Sequence, residues 1–329
     1  MIRFGIIGTN WITEAFIHAA RETGEFALTA VYSRTEEKAR EFAGKFDIPH
    51  FYTDLSAFAG SGEFDAVYIA SPNSLHAEQA VLCMNHGKHV LCEKPAASNA
   101  EELSAMVEAA KQNKVVFMEA LKTTLLPNFA AIRDNLHKIG CVRRYFAGYC
   151  QYSSRYDAYK QGTVLNAFNP IYSNGSLMDL GIYCIYPLVA LFGKPERVQA
   201  GGILLESGVD GEGSLLLGYA DMDAVIMHSK ITSSYAPAEI QGESGTMIID
   251  KINEPGKVEI RYRNGEVEDV TREQTTHTMM YEAAEFMRLI REGELESRTN
   301  SFAVSLAVSE IMTDARAQMG LVFPADTKQ

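Results

Sequence analysis

Several features that mark whole classes of protein are missing or scarce in this 329-residue chain. The five cysteines are odd in number and form no CxxC pair, which argues against a disulfide framework and fits reduced thiols in a cytoplasmic protein. The eight histidines are scattered, so we expect no metal site. No stretch approaches the roughly 20 apolar residues of a membrane helix, and the N-terminal apolar run is too short for a signal peptide. The net charge of −12 argues against nucleic acid and anionic membranes as partners.

The order of apolar runs divides the chain into two predicted domains. Residues 1–120 alternate short apolar runs with amphipathic stretches, which predicts a parallel sheet flanked by helices, an α/β arrangement. Residues 121–329 begin with helical patterns, including a long apolar helix over Leu177–Leu191. They continue from about 197 to 271 as runs separated by glycine or polar turns, and end in two helices. This second part is predicted to be an α+β domain with antiparallel strands.

A glycine turn follows the first apolar run and reads Gly8-Thr9-Asn10-Trp11-Ile12-Thr13. A turn between a strand and a helix presents backbone N–H groups and a helix N-terminus to an anion, which suits a dinucleotide phosphate. Of the fingerprint GxGxxG only Gly8 is kept, while Asn10 and Thr13 replace the other glycines. We expect Asn10 to tolerate the left-handed backbone that such a turn needs. A tight turn that binds no ligand is the alternative.

The residues after the second apolar run indicate which dinucleotide is bound. An acidic residue at this place favours NAD, whereas a basic residue accommodates the 2′-phosphate of NADP. The chain has Ser33 and Arg34 here, with Lys38 one helical turn further on. The sequence therefore predicts NADP, with NAD as the second choice. An N-cap serine beside a solvated arginine is the alternative reading of the same residues.

Two more strand ends carry polar residues that a buried sheet does not need. Ser71-Pro72-Asn73-Ser74-Leu75-His76 follows the fourth run, and Glu93-Lys94-Pro95 closes the fifth. Buried ammonium groups are costly unless they are paired or used, and open α/β sheets place their chemistry at the carboxyl ends of strands. We therefore predict that Lys94 is catalytic. For the loop that begins at Ser71, simple capping of the next helix is the alternative.

The apolar helix of the second domain contains Asp179 and Tyr183, four residues apart and therefore on one helix face. Their neighbours are apolar or small, so a carboxylate and a phenol here need partners. With a lysine they would form a set that can hold and move a proton. A helix-start carboxylate and a core tyrosine are the alternative. Taken together with Lys94, we predict that both are catalytic.

These elements together resemble the glucose–fructose oxidoreductase/inositol dehydrogenase (Gfo/Idh/MocA) family over essentially the whole chain. The resemblance is carried by the glycine turn, Ser71-Pro72-Asn73 with His76, Glu93-Lys94-Pro95, Glu119-Ala120 and the stretch Asp179–Tyr183. It implies an N-terminal Rossmann domain with a doubly wound parallel sheet, and a C-terminal domain with an open, mostly antiparallel sheet whose face is commonly an oligomer interface. It also implies hydride transfer between a secondary alcohol carbon and nicotinamide, with Lys94 in the active site.

Tyr183 makes the chain similar to the dimeric dihydrodiol dehydrogenase branch of the family, which is NADP-linked, because many sugar and inositol members have histidine there. Thr124 departs from the arginine that many members carry after Glu119. The residues expected to bind the cofactor are Gly8, Thr9, Asn10, Trp11, Ile12, Ser33, Arg34, Lys38, Ser71, Pro72, Asn73, Leu75, His76, Glu93, Lys94 and Glu119.

The sequence thus predicts an NADP-dependent oxidoreductase that acts on a sugar, a polyol or a cyclic diol. Tyr156, Asn166 and Tyr172 are expected to contact the substrate ring. Two alternatives remain open: a dinucleotide-sensing binding protein without turnover, and a glycosidase of the same fold in which NAD cycles through transient oxidation. Apolar runs in the predicted strands of the second domain, such as 203–205 and 215–217, predict a homo-oligomer, most simply a dimer joined through that sheet.

Overall fold

Six short apolar runs form one parallel sheet in the computed structural model, which describes residues 1–327. The strands are β1 (Ile2–Ile7), β2 (Phe26–Tyr32), β3 (His50–Tyr52), β4 (Ala66–Ile69), β5 (His89–Glu93) and β6 (Phe117–Ala120). Their order is β3-β2-β1-β4-β5-β6 and every neighbouring pair is parallel. This is the strand order of dinucleotide-binding folds, whose ligand crevice opens at the carboxyl ends of β1 and β4, where the order reverses.

Helices cover this sheet and share one core with it. They are α1 (Trp11–Arg21), α2 (Glu36–Phe46), α3 (Leu55–Ala59), α4 (His76–Asn85), α5 (Ala100–Asn113) and α9 (Met279–Glu292). The rings of Phe16 on α1 and Tyr68 on β4 stack with centroids 3.8 Å apart. The ring of Phe4 on β1 lies 6.0 Å from that of Phe286 on α9. Helix α3 has only five residues, too few for a periodic hydrophobic pattern to indicate it in the sequence.

The chain divides into two structural units, and the first unit is not continuous in sequence. It contains residues 1–122 together with 275–302, and the second contains residues 123–274 and the chain from Ala303 onward. The predicted boundary at residue 120 lies next to the observed one. The predicted second domain, however, included residues 275–302. These residues join the first unit because α9 buries Met279, Ala283, Phe286 and Met287, and Phe286 belongs to the aromatic core under β1.

The second unit is built on an eight-stranded sheet. Its strands are β7 (Val142–Cys150), β8 (Arg197–Leu204), β9 (Asp210–Gly218), β10 (Asp223–Ser229), β11 (Ala238–Gly242), β12 (Gly245–Ile249), β13 (Val258–Tyr262) and β14 (Val267–Asp269). Its helices are α6 (Pro127–Asn135), α7 (Ser154–Lys160), α8 (Ile182–Phe192) and α10 (Phe302–Met319). The order is β14-β13-β12-β11-β7-β10-β9-β8, and only the β7–β10 pair is parallel. The predicted fold class, a parallel sheet followed by a mostly antiparallel one, is confirmed.

The two faces of the second sheet differ in burial. Side chains such as Tyr145, Ile226 and Ile240 are fully buried on one face. On the other face, the strand register aligns Leu216 with Val225, and Val225 with Phe146. Leu216 is 45% exposed, and Ile203 on the same face is 54% exposed. An apolar row of three side chains therefore lies on β9, β10 and β7 of the open face, where a sheet wetted by solvent would carry polar residues.

The long apolar segment of the second unit corrects one expectation. By length and composition, Pro170–Phe192 is long and apolar enough to cross a membrane, although we expected no such stretch. Within the structure 72% of its most apolar window is buried. Burial of this kind is typical of a core helix that packs against its own sheet, so the segment carries little weight as evidence for a membrane span.

Candidate active site

The turn after β1 requires a glycine. Gly8 has φ +105°, a conformation that residues with a side chain rarely adopt. A Cβ atom built on it would lie 2.6 Å from the carbonyl oxygen of Ala70, the residue that follows β4. The backbones after β1 and β4 therefore approach each other as closely as they can at the carboxyl end of the sheet. This is the close approach that a dinucleotide pyrophosphate needs in this fold.

Asn10 has a different role from the predicted one. Its φ is −114°, which is extended backbone, so the expectation of a left-handed residue here is wrong. Its Oδ1 accepts hydrogen bonds from the N–H groups of Ile12 (3.0 Å) and Thr13 (3.2 Å), and its Nδ2 donates to the Ala70 carbonyl (2.7 Å). Asn10 thus caps α1 and ties the turn to the end of β4. An anion at this helix end would meet the N–H groups that precede Ile12.

The end of β2 presents unpaired positive charge. Arg34 and Lys38 are exposed, and within residues 1–327 neither has a carboxylate partner. Arg40, which lies on α2 like Lys38, differs from both, because it pairs with Glu36 at 2.7 Å and covers the Phe51 ring. The N-cap residue of α2, Thr35, makes no side-chain capping bond, which leaves the helix N-terminus open to an anion. These features fit a phosphate group better than the diol of an unmodified ribose.

The loop after β4 is fixed by a buried histidine. Pro72 precedes a single helical turn, Asn73–Leu75, and Ser71 Oγ donates to Gln79 at 2.6 Å. His76 is buried with Nε2 at 2.7 Å from the Ser71 carbonyl and Nδ1 at 2.9 Å from the Pro95 carbonyl. Burial lowers the pKa of His76, and the two carbonyls only partly oppose this. The histidine therefore joins the loop after β4 to the residues that follow Lys94.

Lys94 directly follows β5 and lies next to a buried carboxyl group, that of Glu93. Glu93 accepts a hydrogen bond from the Tyr68 hydroxyl at 2.5 Å and one from the Lys94 N–H at 3.2 Å. Burial raises the pKa of the Glu93 carboxyl, while the Tyr68 hydrogen bond and the charge of Lys94 oppose the rise. Behind it, burial and the Glu93 charge raise the pKa of Glu282 on α9 well above its usual range. No sequence pattern indicates a role for Glu282, because its burial depends on how α9 packs.

The backbone that follows Lys94 is braced from β6. The Lys94–Pro95 peptide is cis, and the N–H of Ala96 donates to Glu119 Oε1 at 2.8 Å. Glu119 is buried, and its own carbonyl accepts from Asn300 Nδ2 at 3.3 Å. Through these bonds Glu119 fixes the backbone that follows the lysine. Its predicted contact with the cofactor stays a prediction.

In the second unit, Asp179 lies in a single π-helical turn, Leu177–Gly181, that leads into α8, whereas Tyr183 lies on α8 itself. π-helical turns are frequent at functional sites. The Tyr183 ring meets the Tyr149 ring edge to face, with centroids 5.6 Å apart. Asp179 forms an ion pair of 2.9 Å with Lys230, whose side chain is 4% exposed. The sequence analysis did not identify Lys230. It could have done so, because Lys230 follows the apolar run of β10 directly, as Lys94 follows the apolar run of β5.

The three predicted substrate residues lie in one segment of the second unit. Tyr156 packs against Phe168, with ring centroids 5.7 Å apart, in a small apolar cluster that includes Val209. Asn166 is exposed, and its carbonyl accepts from Asn174 Nδ2 at 3.1 Å. Tyr172 is half-buried in the helical turn Pro170–Tyr172. Their contact with a substrate stays a prediction. Within the described residues, no group of three or more histidine, cysteine or acidic side chains could hold a metal ion.

Both units match known proteins. A family model described as "Oxidoreductase family, NAD-binding Rossmann fold" matches residues 2–121, and the "GFO/IDH/MocA C-terminal domain" model matches residues 137–248. The chain is 61% identical over 326 residues to scyllo-inositol 2-dehydrogenase (NADP(+)) IolU of Bacillus subtilis (strain 168), with 99% of each chain covered. It is 30% identical over 341 residues to trans-1,2-dihydrobenzene-1,2-diol dehydrogenase of Mus musculus, again with 99% of each covered.

A solved structure adds evidence for the fold. Levoglucosan dehydrogenase in complex with NADH and levoglucosan matches with a TM-score of 0.86, covering 96% of this chain and 97% of the other at 21% identity. At that identity the match supports the architecture alone. The two family models and the 61% identity carry the assignment, and they confirm the resemblance inferred from the motifs. The chain belongs to the GFO/IDH/MocA family and is an NAD(P)-dependent oxidoreductase.

Proposed function

We propose that the protein is an NADP-dependent dehydrogenase that oxidises a secondary hydroxyl group of a cyclic polyol, with inositols as the first candidates, and reduces the corresponding ketone in reverse. The observation that carries this proposal is 61% identity across the whole chain to a scyllo-inositol 2-dehydrogenase (NADP(+)). Lys94, Asp179 and Tyr183 are the proposed catalytic residues. Sugars and cyclic diols remain within the same substrate class.

The residues of this chain have to manage one proton and the charge on one oxygen. A bound nicotinamide would supply the hydride acceptor for the alcohol carbon, and the hydroxyl proton would have to leave as the C–O bond becomes a double bond. We assign acceptance of that proton to Tyr183 as a phenolate, which thereby becomes the phenol, and the stabilisation of negative charge on the reacting oxygen to the ammonium of Lys94. Asp179 is assigned to act as a carboxylate that orients Tyr183, four residues further along the chain. In the reductive direction the same groups return the proton to the oxygen.

The cofactor assignment rests on the first unit. The close approach at Gly8 suits a pyrophosphate, and the unpaired charges of Arg34 and Lys38 suit a 2′-phosphate. Ser33 adds a hydroxyl donor at the same strand end. Thr9, Trp11 and Ile12 continue the turn that would carry the phosphates.

Replacing Arg34 by alanine should weaken NADPH binding by roughly 10–150-fold and leave NADH binding nearly unchanged, because a charge-assisted contact contributes about 1.5–3 kcal/mol. Titration of both cofactors into each variant measures the effect. Arg40→Ala is the matched control, since Arg40 is an exposed arginine on α2, six residues further along the chain, that already pairs with Glu36. Equal affinities of the unmodified protein for NADH and NADPH would reject the assignment.

A panel of inositols, sugars and cyclic diols, assayed through NADPH absorbance, tests the function itself. We expect turnover with at least one inositol and faster turnover with NADP than with NAD. Bound NADPH without turnover of any compound would favour the dinucleotide-sensing alternative. Release of free sugar from a glycoside without net change in NADPH would favour the glycosidase alternative.

We also propose that the protein is a cytoplasmic homodimer joined through the open face of the second sheet. Support comes from the apolar row Leu216, Val225 and Phe146, which a second copy could cover around a twofold axis. Light scattering at micromolar concentration should give about twice the 36.3 kDa chain mass. A mass of one chain that persists on concentration would refute the dimer.

A further inference from the structure

Lys230 is a buried cation to which the proposed mechanism assigns no role. It follows β10 directly, and its ammonium has three neighbours in the second unit: the Asp179 carboxylate at 2.9 Å, the Ala167 carbonyl at 3.2 Å and the Phe168 ring at 5.3 Å. The Lys230 side chain is 4% exposed, whereas the Asp179 side chain is 36% exposed. The ion pair thus has one end in the interior and one end at an accessible surface.

A second carboxylate lies behind this pair. Asp210, at the start of β9, is fully buried and accepts a hydrogen bond from the Leu177 N–H at 2.6 Å, in the π-helical turn that carries Asp179. Burial raises the pKa of Asp210 to about 6, and the charge of Lys230 opposes the rise. Nδ1 of His228 on β10 lies 3.6 Å from the Asp210 carboxylate, and burial lowers the pKa of His228 to about 3, so it is neutral near pH 7. Tyr183 follows Asp179 by four residues on α8.

A buried ammonium is stable only with compensating charge and hydrogen bonds. Here the exposed carboxylate of Asp179 supplies the nearest charge. Lys230 in turn constrains Asp179. A buried ammonium that cannot move away fixes the side-chain rotamer of the carboxylate with which it pairs. The hydrogen bond from the Leu177 N–H to the Asp210 carboxylate holds the π-helical turn in place at the same time.

We propose that Lys230 is a positioning residue that holds Asp179 as an oriented carboxylate and thereby sets the acidic limit of the pH range in which the enzyme works. This inference rests on the proposed function. In this arrangement Asp179 keeps its charge during turnover and carries no proton itself. The proton is left to Tyr183, and Lys94 stabilises the charge on the reacting oxygen.

The sign of the expected pH effect follows from charge. A cation within 4–6 Å favours the ionised form of a carboxyl group, so removal of Lys230 disfavours it. Asp179 would then take up a proton at higher pH than in the unmodified protein. Activity that requires the carboxylate would be lost earlier as the pH falls, and would recover as the pH rises.

Lys230→Met keeps the length of the side chain and removes the charge. We expect the acidic limb of the kcat/KM profile to move up by about one to three pH units, with KM changed less than kcat. Lys88→Met is the matched control. Lys88 is also buried, donates to the Ser61 and Phe64 carbonyls and lies 4.7 Å from the Phe64 ring, but it precedes β5, at the end of that strand opposite to Lys94. Its loss should lower Tm without moving the pH profile.

Asp210 needs a separate control because it also feels the charge of Lys230. In an Asp210→Asn background, Lys230→Met should still move the acidic limb. If the acidic limb of the kcat/KM profile does not move in this double variant, the effect belongs to Asp210 and the proposal is overturned. An unchanged limb in Lys230→Met alone would overturn it as well, whatever happens to Tm. Rescue of the limb by Lys230→Arg would support a role of the charge.

If Lys230→Met does not fold, the pair is tested from its accessible side. Asp179→Asn leaves the buried ammonium without its nearest counter-charge, and Tm should fall by about 2–4 °C between pH 6 and 8. No fall would contradict the ion pair. This measurement needs no substrate, so it separates the inference from the proposed function, which fails if the unmodified protein turns over no compound in the panel.

Discussion

Replacement of Lys94 by methionine should lower kcat by about 10²–10⁴-fold, which corresponds to roughly 3–5 kcal/mol at the barrier. Methionine fills most of the space of the lysine stem but cannot stabilise charge on the reacting oxygen. Lys94 directly follows Glu93, the last residue of β5, at the edge of the sheet where this fold places its ligands. Steady-state kinetics with the best substrate of the panel measure the loss.

NADPH binding separates a catalytic role from a structural one. The dinucleotide contacts assigned to Gly8 and Arg34 do not involve the Lys94 side chain, so the Lys94→Met variant should bind NADPH within a few-fold of the unmodified protein. A variant that retains a tenth or more of the original kcat would show that Lys94 is not catalytic. A variant that has lost NADPH binding would assign the lysine to the cofactor instead.

Replacement of Gly8 by alanine should destabilise the first unit by about 2–5 kcal/mol and abolish tight NADPH binding. Two penalties combine at this residue. The backbone has φ +105°, and the new Cβ would lie 2.6 Å from the Ala70 carbonyl oxygen, which cannot move without shifting β4. Denaturant unfolding and NADPH titration report the two consequences separately.

Gly24→Ala isolates the first penalty. Gly24 has φ +72°, but a Cβ there would meet no atom within 4 Å. We therefore expect a loss of only about 1–2 kcal/mol, with NADPH binding unchanged. If Gly8→Ala were no more harmful than Gly24→Ala, the close approach between the ends of β1 and β4 would be wrong.

Strand ends were the most predictable part of this molecule. The sequence places Gly8, Ser33, Ser71 and Lys94 after apolar runs that do form neighbouring parallel strands. Such runs can be located because a strand buried on both faces must be apolar throughout, and the polar residue that ends it stands out. The edge of the sheet that carries the site therefore follows from pattern alone.

Roles that depend on distant partners were not predictable. Asn10 looked like a residue chosen for its own backbone freedom, but it serves as a cap that also binds Ala70, 60 positions away. Helix α7 was missed because Ser154–Lys160 is polar and carries little periodic signal. Both cases depend on neighbours that a single linear pattern does not contain.

Burial hides chemistry in a similar way. Ser176, His228 and Asp210 suggest a nucleophilic triad, yet all three are buried, and Ser176 Oγ (2.9 Å) and Asp210 Oδ2 (3.6 Å) both approach the same ring nitrogen, Nδ1. A base needs one nitrogen for the nucleophile and the other for its orienting partner. The cluster is therefore part of the interior of the second unit. Lys230 pairs with Asp179, and its charge also acts on Asp210. This connection between the cluster and Asp179 is visible only in the structure.

The return of α9 to the first unit has a consequence for synthesis on the ribosome. Residues 1–122 emerge first, but residues 275–302, which complete the same unit, follow roughly 150 residues later. At about 5–20 residues per second, the aromatic core around Phe4 waits on the order of ten seconds for the Phe286 ring. During that interval the nascent dinucleotide-binding unit exposes the apolar surface that α9 later covers. A fragment cut after residue 122 would keep that surface exposed permanently, so a minimal version of this unit has to carry residues 275–302 joined to it.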